Sequence, residues 1–292
     1  MAKTETTTKL LARFGRLNSQ RANWENHWQE VADYMMPRKA NITKKRSRGD
    51  KRNELIFDSS PLQALELLAA SLHGMMTNPS TPWFTLKFKD AQMDQNDEAK
   101  LWLESVTADM YTAFNRSNFQ QEIFELYHDL ITFGTAAMYI EEDDEDLLKF
   151  STKHIAEIFI AEDDKGRIDT VYRKFTLSAR ALVQQFGDKV SQNIKVMAEK
   201  DPYQDVDILH CVYPRADFNP KLKDQKNMPF ESVYLEMGSG DELSVSGFKE
   251  FPYVVPRYLK ASHEIYGRSP AMTALPDVKM LNEMSKTTIK AA

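Results

Sequence analysis

An α+β fold, mainly helical, is what this sequence predicts, and three observations predict it. The first half carries large apolar residues at helical spacing. From Thr135 on, short runs rich in Ile, Tyr and Phe alternate with polar turns, the pattern of antiparallel strands. Helical patterning then returns after residue 176 and again after Pro270, on either side of a second strand-rich stretch.

In "SQRANWENHWQEVADYMMP" the residues Trp24, Trp28, Val31 and Met35 fall on one helix face, and Pro37 stops the helix. Residues 38–52, "RKANITKKRSRGDKR", hold eight Lys or Arg against one Asp. With almost nothing apolar to bury, they read as a loop. "FDSSPLQALELLAASLHGMM" predicts a helix with Ser60 as N-cap, Pro61 at the first helical position, and Leu65, Leu68, Leu72 and Met75 or Met76 as its buried face. Pro79 and Pro82 force an extended turn ahead of a short strand, Trp83 to Phe88. A third helix opens near Asn96 with Trp102, Val106 and Met110 as its apolar positions. A fourth follows Ser117, with Gln120 completing a capping box, and carries Phe119, Ile123, Tyr127, Leu130 and Ile131 to a stop at Gly134. "TAAMYIEE", "LLKFST", "HIAEIFIAE" and "RIDTVYRKFTL" then predict an antiparallel meander over 135–176. Two helical stretches broken between Gly187 and Asp188 come next, then the β-rich residues 205–260, then the last helix. That helix stops at "TTIKAA" with no capping Gly or Pro beyond it, so the chain reads as truncated within an element.

The 292 residues are long enough for two domains or one elongated one, and 42% hydrophobic with 28% charged is ordinary for a folded protein. A net charge of −5 advertises no global affinity for nucleic acid. One cysteine, Cys211, excludes an internal disulfide and a Cys-based zinc site. The polar N-terminus lacks a signal-peptide core, and no run of about 18 apolar residues is present to span a membrane.

Catalytic chemistry is hard to find. Neither a P-loop nor G-x-G-x-x-G occurs, and "GSGD" at 238–241 reads as a hairpin turn. His263-Glu264 lacks the second His of a zincin, because Gly267 stands there. The six histidines fall at no metal-ligand spacing, and no nucleophile elbow is present. The acidic run "EEDDED" at 141–146 is the best lead toward a metal-dependent nuclease. Two-metal sites, however, need carboxylates converging from separate elements. Contiguous acids between two strand-like runs diverge, so the run reads as a solvated hairpin tip. No cofactor, metal ion or catalytic residue is expected. The basic segment is the one polyanion-binding candidate, through Lys44, Lys45, Arg46, Arg48, Lys51 and Arg52. It lacks interleaved aromatics, so base stacking is not indicated. A solvated loop, or a surface for an acidic protein, fits it as well. In the last helix Lys279, Lys286 and Lys290 share one face, either toward DNA or toward a neighbouring subunit.

Several segments, in order, resemble the portal, or head-to-tail connecting, proteins of short-tailed bacteriophages. They are "RANWENHWQEVADYMMPR", "FDSSPLQALELLAASLHGMMTNPSTPWFTL", "FGTAAMYIEE", "FTLSARALVQQFG", "FPYVVPRYLK" and "YGRSPAMTALPDVKMLN". The resemblance implies a non-enzymatic subunit of a ring, usually of about twelve copies, at one capsid vertex. Double-stranded DNA would enter and leave through the ring. Terminase and then tail adaptor proteins would dock on it, with capsid and scaffolding proteins as further partners and no membrane. The protein would sit in the virion, after assembly in the host cytoplasm. The implied parts are a wing over 1–175, a first stem-like segment over 176–204, a clip-like insert over 205–260 and the start of a second stem helix over 261–292. A monomeric DNA-binding adaptor or scaffolding protein using residues 38–52 is the alternative.

Overall fold

The computed structural model describes residues 5–45, 47, 49–90, 96–222, 224 and 227–292. They form two compact units, Met1–Asn26 with Ala156–Tyr253, and His27–Ile155 with Val254–Ala292. The elements in chain order are α1 (Glu5–Met35), α2 (Ser60–Met76), α3 (Asp97–Arg116), α4 (Phe119–Phe133), β1 (Ala137–Asp143), β2 (Leu147–Lys153), β3 (Ile158–Glu162), β4 (Ile168–Ser178), α5 (Ala179–Phe186), α6 (Gln192–Lys200), β5 (Asp205–Pro214), β6 (Phe230–Glu236), β7 (Glu242–Phe248), β8 (Tyr253–Val254) and α7 (Pro270–Ala291). The mixed α+β class is the one expected.

The first unit is built on a five-stranded antiparallel sheet in the order β3-β4-β5-β6-β7. Because side chains alternate along a strand, Leu209 and Ile208 serve opposite faces. One face gathers Phe159, Tyr172, Leu209, Cys211, Val233 and Leu235 under Leu10 and Leu17 of α1. Phe14 meets Phe159 edge-on at 4.8 Å. Ile208 and Leu243, on the other face, pack on Ala179 and Leu182 of α5 and Ile194 of α6. Both short helices start on serines: Ser178 Oγ accepts from Ala181 N–H and Ser191 Oγ from Ile194 N–H. Arg21 is 2% exposed. Its guanidinium donates to Glu25, to Ile158 O at 2.5 Å and to Ala156 O at 2.8 Å, and lies 3.8 Å over the Phe159 ring. A buried cation needs this full complement of acceptors.

The second unit contains α2, α3, α4, α7 and the β1–β2 hairpin. Phe119 and Leu126 of α4 pack on Ala136, Met138 and Phe150, with Trp83 stacked 5.9 Å from Phe119. The outer edge of β2 is closed by side chains instead of another strand. Asn118 exchanges hydrogen bonds with Phe150 N and O, and Glu122 accepts from Thr152 N. Such capping denies an edge strand to stray pairing.

Several local expectations change. The four runs of 135–178 form two hairpins in separate sheets, because a single 3-10 turn at Ile155–Glu157 parts β2 from β3. Trp83–Phe88 is extended but joins no ladder, since Trp83 N and Phe84 N donate to Tyr111 Oη, which donates back to Phe84 O. Ser60 is the first residue of α2 and not its cap, and Asp58 Oδ1 accepts from its N–H. Gln120 completes no capping box and is hydrogen-bonded to His73 at 2.8 Å. In α2 the buried positions are Pro61, Leu65 and Ala69, while Leu68, Met75 and Met76 face outward. Trp102 and Met110 are likewise exposed, and no residue of α3 is buried.

Candidate functional site

The basic segment leaves α1 through a 3-10 turn, Pro37–Lys39, and is tied down from its first residue. Arg38 forms a two-pronged bond with Glu125 of α4, at 3.0 and 2.9 Å. Lys39 reaches Glu125 at 2.6 Å and Asp129 at 2.5 Å. Asp129 has no exposed side chain, and its Oδ2 finds no hydrogen bond among the described residues. Burial pushes its carboxyl up to about 6 against the pull of Lys39. Burial would also raise Glu125, but the hydrogen bonds of Arg38 and Lys39 bring it down to about 2. Burial holds His128 below the ordinary imidazole range, and its Nε2 lies 3.1 Å from Glu66 without hydrogen-bond geometry.

Farther along, the amide of Gln29 acts as a clasp. Its Oε1 accepts from the N–H groups of Ile42, Thr43 and Lys44, and its Nε2 donates to Ala40 O and Asp33. Lys44 pairs with Asp33 at 2.5 Å. Arg52 donates to the backbone oxygen of Arg38. Lys45 and Lys51 are exposed, and Arg46 and Arg48 lie outside the described residues. A cavity of about 380 Å³ beside the turn is bordered by Arg38 and Arg52 but also by Asp50 and Glu66, so it offers an anion no clear excess of positive charge. Gln29→Leu is expected to unclasp residues 40–44. Trypsin should then cut at Lys44 or Lys45 at least about tenfold faster with the fold intact, because local opening sets that rate. An unchanged rate would show that Gln29 does not hold the segment.

In α7, Lys279 pairs with Glu30 at 2.5 Å and Lys286 with Glu283 at 2.9 Å, while Lys290 is exposed. Spacing alone left their partners open. Two of the three have partners within the subunit. The buried face of α7 centres on Asn282, whose amide accepts from Phe57 N and Asp58 N and donates to Leu55 O.

The acidic run occupies the β1–β2 hairpin, with Asp143 opposite Leu147 in the register. Asp143 Oδ2 accepts from Glu145 N and Asp146 N, and Glu141 pairs with Lys149 at 3.3 Å. Among the described residues no group of three His, Cys, Asp or Glu converges as metal ligands would, and no helix is long and apolar enough to cross a membrane.

Sequence reasoning missed the junction at the end of α4. There Thr132 O accepts from Ser269 Oγ, Phe133 O from Trp28 Nε1 and Gly134 O from Tyr258 N. A helix end leaves such carbonyls unpaired, and three distant segments complete this one. Gly134 adopts φ 75°, and a Cβ there would stand 2.6 Å from Gly267 C. The stretches "FGTAAMYIEE", "FPYVVPRYLK" and "YGRSPAMT" meet here.

The family model "Bacteriophage head to tail connecting protein" matches residues 7–292. The "Probable portal protein" of Bordetella phage BPP-1 is 36% identical over 277 residues, 93% of this chain and 50% of that protein. The "Portal protein" of Salmonella phage epsilon15 is 36% identical over 292 residues, 98% of this chain and 52% of that protein. The chain thus spans about half the length of the curated relatives it matches. It belongs to the bacteriophage head-to-tail connecting protein family.

Proposed function

We propose that this chain supplies the subunit of a portal ring at the head–tail junction of the virion, the channel through which DNA is packaged and ejected. Terminase, and later tail adaptors, would dock on that ring, which would be assembled in the host cytoplasm with capsid and scaffolding proteins. The observation that carries this is the match of one connector family to residues 7–292. The role is mechanical: a DNA duplex must slide, and an excess of phosphate contacts would hold it. An acidic balance of −5 suits passage. Within the ring, 1–175 would be the wing, 176–204 and 261–292 with α7 the stem, and 205–260 the clip. At 22 residues, α7 would run about 33 Å along the stem. Lys279, Lys286 and Lys290 would border the channel or a neighbour, and Lys44, Lys45, Arg46, Arg48, Lys51 and Arg52 would meet polyanions.

Electron microscopy and native mass of the full-length gene product at moderate salt test the reading. A closed ring of about a dozen subunits with a central hole is expected. A monomer or dimer that binds DNA through residues 38–52 would overturn it in favour of an adaptor.

A further inference from the structure

Helix α2 is apolar almost all round, and such a helix is normally covered on every side. Here one side is covered, by Leu65 and Ala69, and the opposite side is open. Leu67 and Met75 are 70% and 75% exposed, with Leu68 beside them and the small residues Ser71 and Gly74 between. Spacings of three, four and seven put all five on one side. No charged residue interrupts them, and a Cβ at Gly74 would meet nothing within 4 Å. Charge depletion together with exposed methionine marks the core of a protein interface.

A ring requires a heterologous contact, in which this patch meets a different patch on the next copy. A self-complementary contact between two α2 faces would close at a dimer. Helix α7 offers a counterpart. Opposite its buried Leu275, Val278 and Asn282 lie Met280, Leu281 and Met284, 61%, 39% and 59% exposed, with the exposed charge of Asp277 on the same face. Methionine adapts to an irregular facing surface. The exposed Leu101 and Trp102 of α3 fit less well, since Asp97, Glu98 and Asp109 flank them.

Resting on the ring-subunit reading above, we propose that the outward face of α2, centred on Leu67, Ser71 and Met75, seats against Met280, Leu281 and Met284 of a second copy of this chain. At on the order of 100 Å² of apolar surface per fully exposed side chain, the six large residues of the two patches would remove roughly 350 Å² from water. That would be the apolar centre of an interface of about 1,600 Å² in all, charge-free on the α2 side and with the exposed Asp277 among the α7 residues.

The test uses the full-length gene product in three forms. Wild type is expected to assemble into a closed ring. The double variant Leu67→Asp with Met75→Asp changes exposed positions only, so circular dichroism should match wild type. It should nevertheless stay monomeric, or need at least about tenfold more protein to assemble, because it carries two charges into an apolar contact. The pair Ser71→Cys with Met284→Cys, mildly oxidised, should give covalent multimers on a denaturing gel that neither single variant gives. The native Cys211 is fully buried and takes no part. A wild-type ring whose Asp variant assembles normally, or whose cysteine pair yields only monomer, would overturn this contact and leave the ring standing. Should the Asp variant misfold, the cysteine pair decides. A wild type that never assembles would overturn both readings.

Discussion

Gly267→Ala is expected to destabilise the unit containing α4 by about 4 kcal/mol or more, enough that little folded protein is recovered. A methyl group at this position would overlap the carbonyl oxygen of Gly134 and come within 3.0 Å of Arg257 Cβ and 3.2 Å of Tyr258 N. Neither the oxygen nor the amide can retreat. Gly134 O already accepts from Tyr258 N at 2.9 Å, and Gly267 N donates to Thr135 Oγ1 at 2.8 Å. Relief therefore means breaking the backbone bonds that close the end of α4, and buried groups left unpaired cost about 1–3 kcal/mol each. Gly134→Ala should fail similarly, since it meets the same backbone from the other side and adds strain at φ 75°. The control is Gly15→Ala in α1, where a Cβ meets nothing within 4 Å. That change should stabilise by about 1 kcal/mol through helix propensity. Thermal unfolding and soluble yield of the three variants would check this. A Gly267→Ala protein melting within a few degrees of wild type would refute the argument.

The same glycines show how much was legible beforehand. Gly134 could be read from sequence as a helix stop, because a glycine after the last apolar position signals a left-handed cap. That its carbonyl would meet a second glycine 133 residues later has no local signature. Periodicity likewise located α1 around Trp24–Met35; its first half carries the same signal, Leu10, Phe14 and Leu17 at i, i+4 and i+7, which went unread, and only their seat on the sheet has no local signature. The hairpin nature of "EEDDED" was visible from its place between two strand-like runs, although its first three acids lie in β1 and only 144–146 form the turn. That β2 and β3 belong to different sheets was not visible, because the parting turn at 155–157 carries no signal of its own in the sequence. For α2 the reading erred in an informative way. The helix is apolar on two sides, and periodicity cannot say which of them a single subunit covers. Among the candidate cations, charge counting found the segment 38–52 but was blind to the carboxylates that meet it. Asp33, Glu125 and Asp129 lie on two other helical stretches, and each looks unremarkable in its own context.

Lys39→Met should destabilise the protein by about 3–5 kcal/mol at pH 8, and the deficit should shrink as the pH is lowered to 5. Removing Lys39 leaves Asp129 as an unpaired carboxylate with no exposed side chain, and a group so placed neutralises when it can. In the wild type Asp129 already sits near 6, above its ordinary 3.8, because burial outweighs Lys39. A raised carboxylate means the folded state binds the proton more tightly than the unfolded chain does. Its ionisation penalty is therefore full above about 6 and is relieved as the pH falls toward 4. Glu125 behaves oppositely. Held near 2 against an ordinary 4.5, it contributes stability above 4.5 that is lost as the pH falls toward 2. From these two groups, wild-type stability should accordingly be greatest between about 3.8 and 4.5 and decline as the pH rises toward 6. In Lys39→Met the downward pull on both acids weakens. Asp129 moves further up, its penalty grows at pH 8, and protonation by pH 5 removes most of it. Glu125 retains Arg38, whose two-pronged bond is independent of Lys39. Unfolding midpoints of wild type and variant across pH 4–8 would check the sign. A deficit equal at pH 8 and pH 5 would mean that the variant loses packing of the lysine stem, and that the charge on Asp129 is not what Lys39 balances.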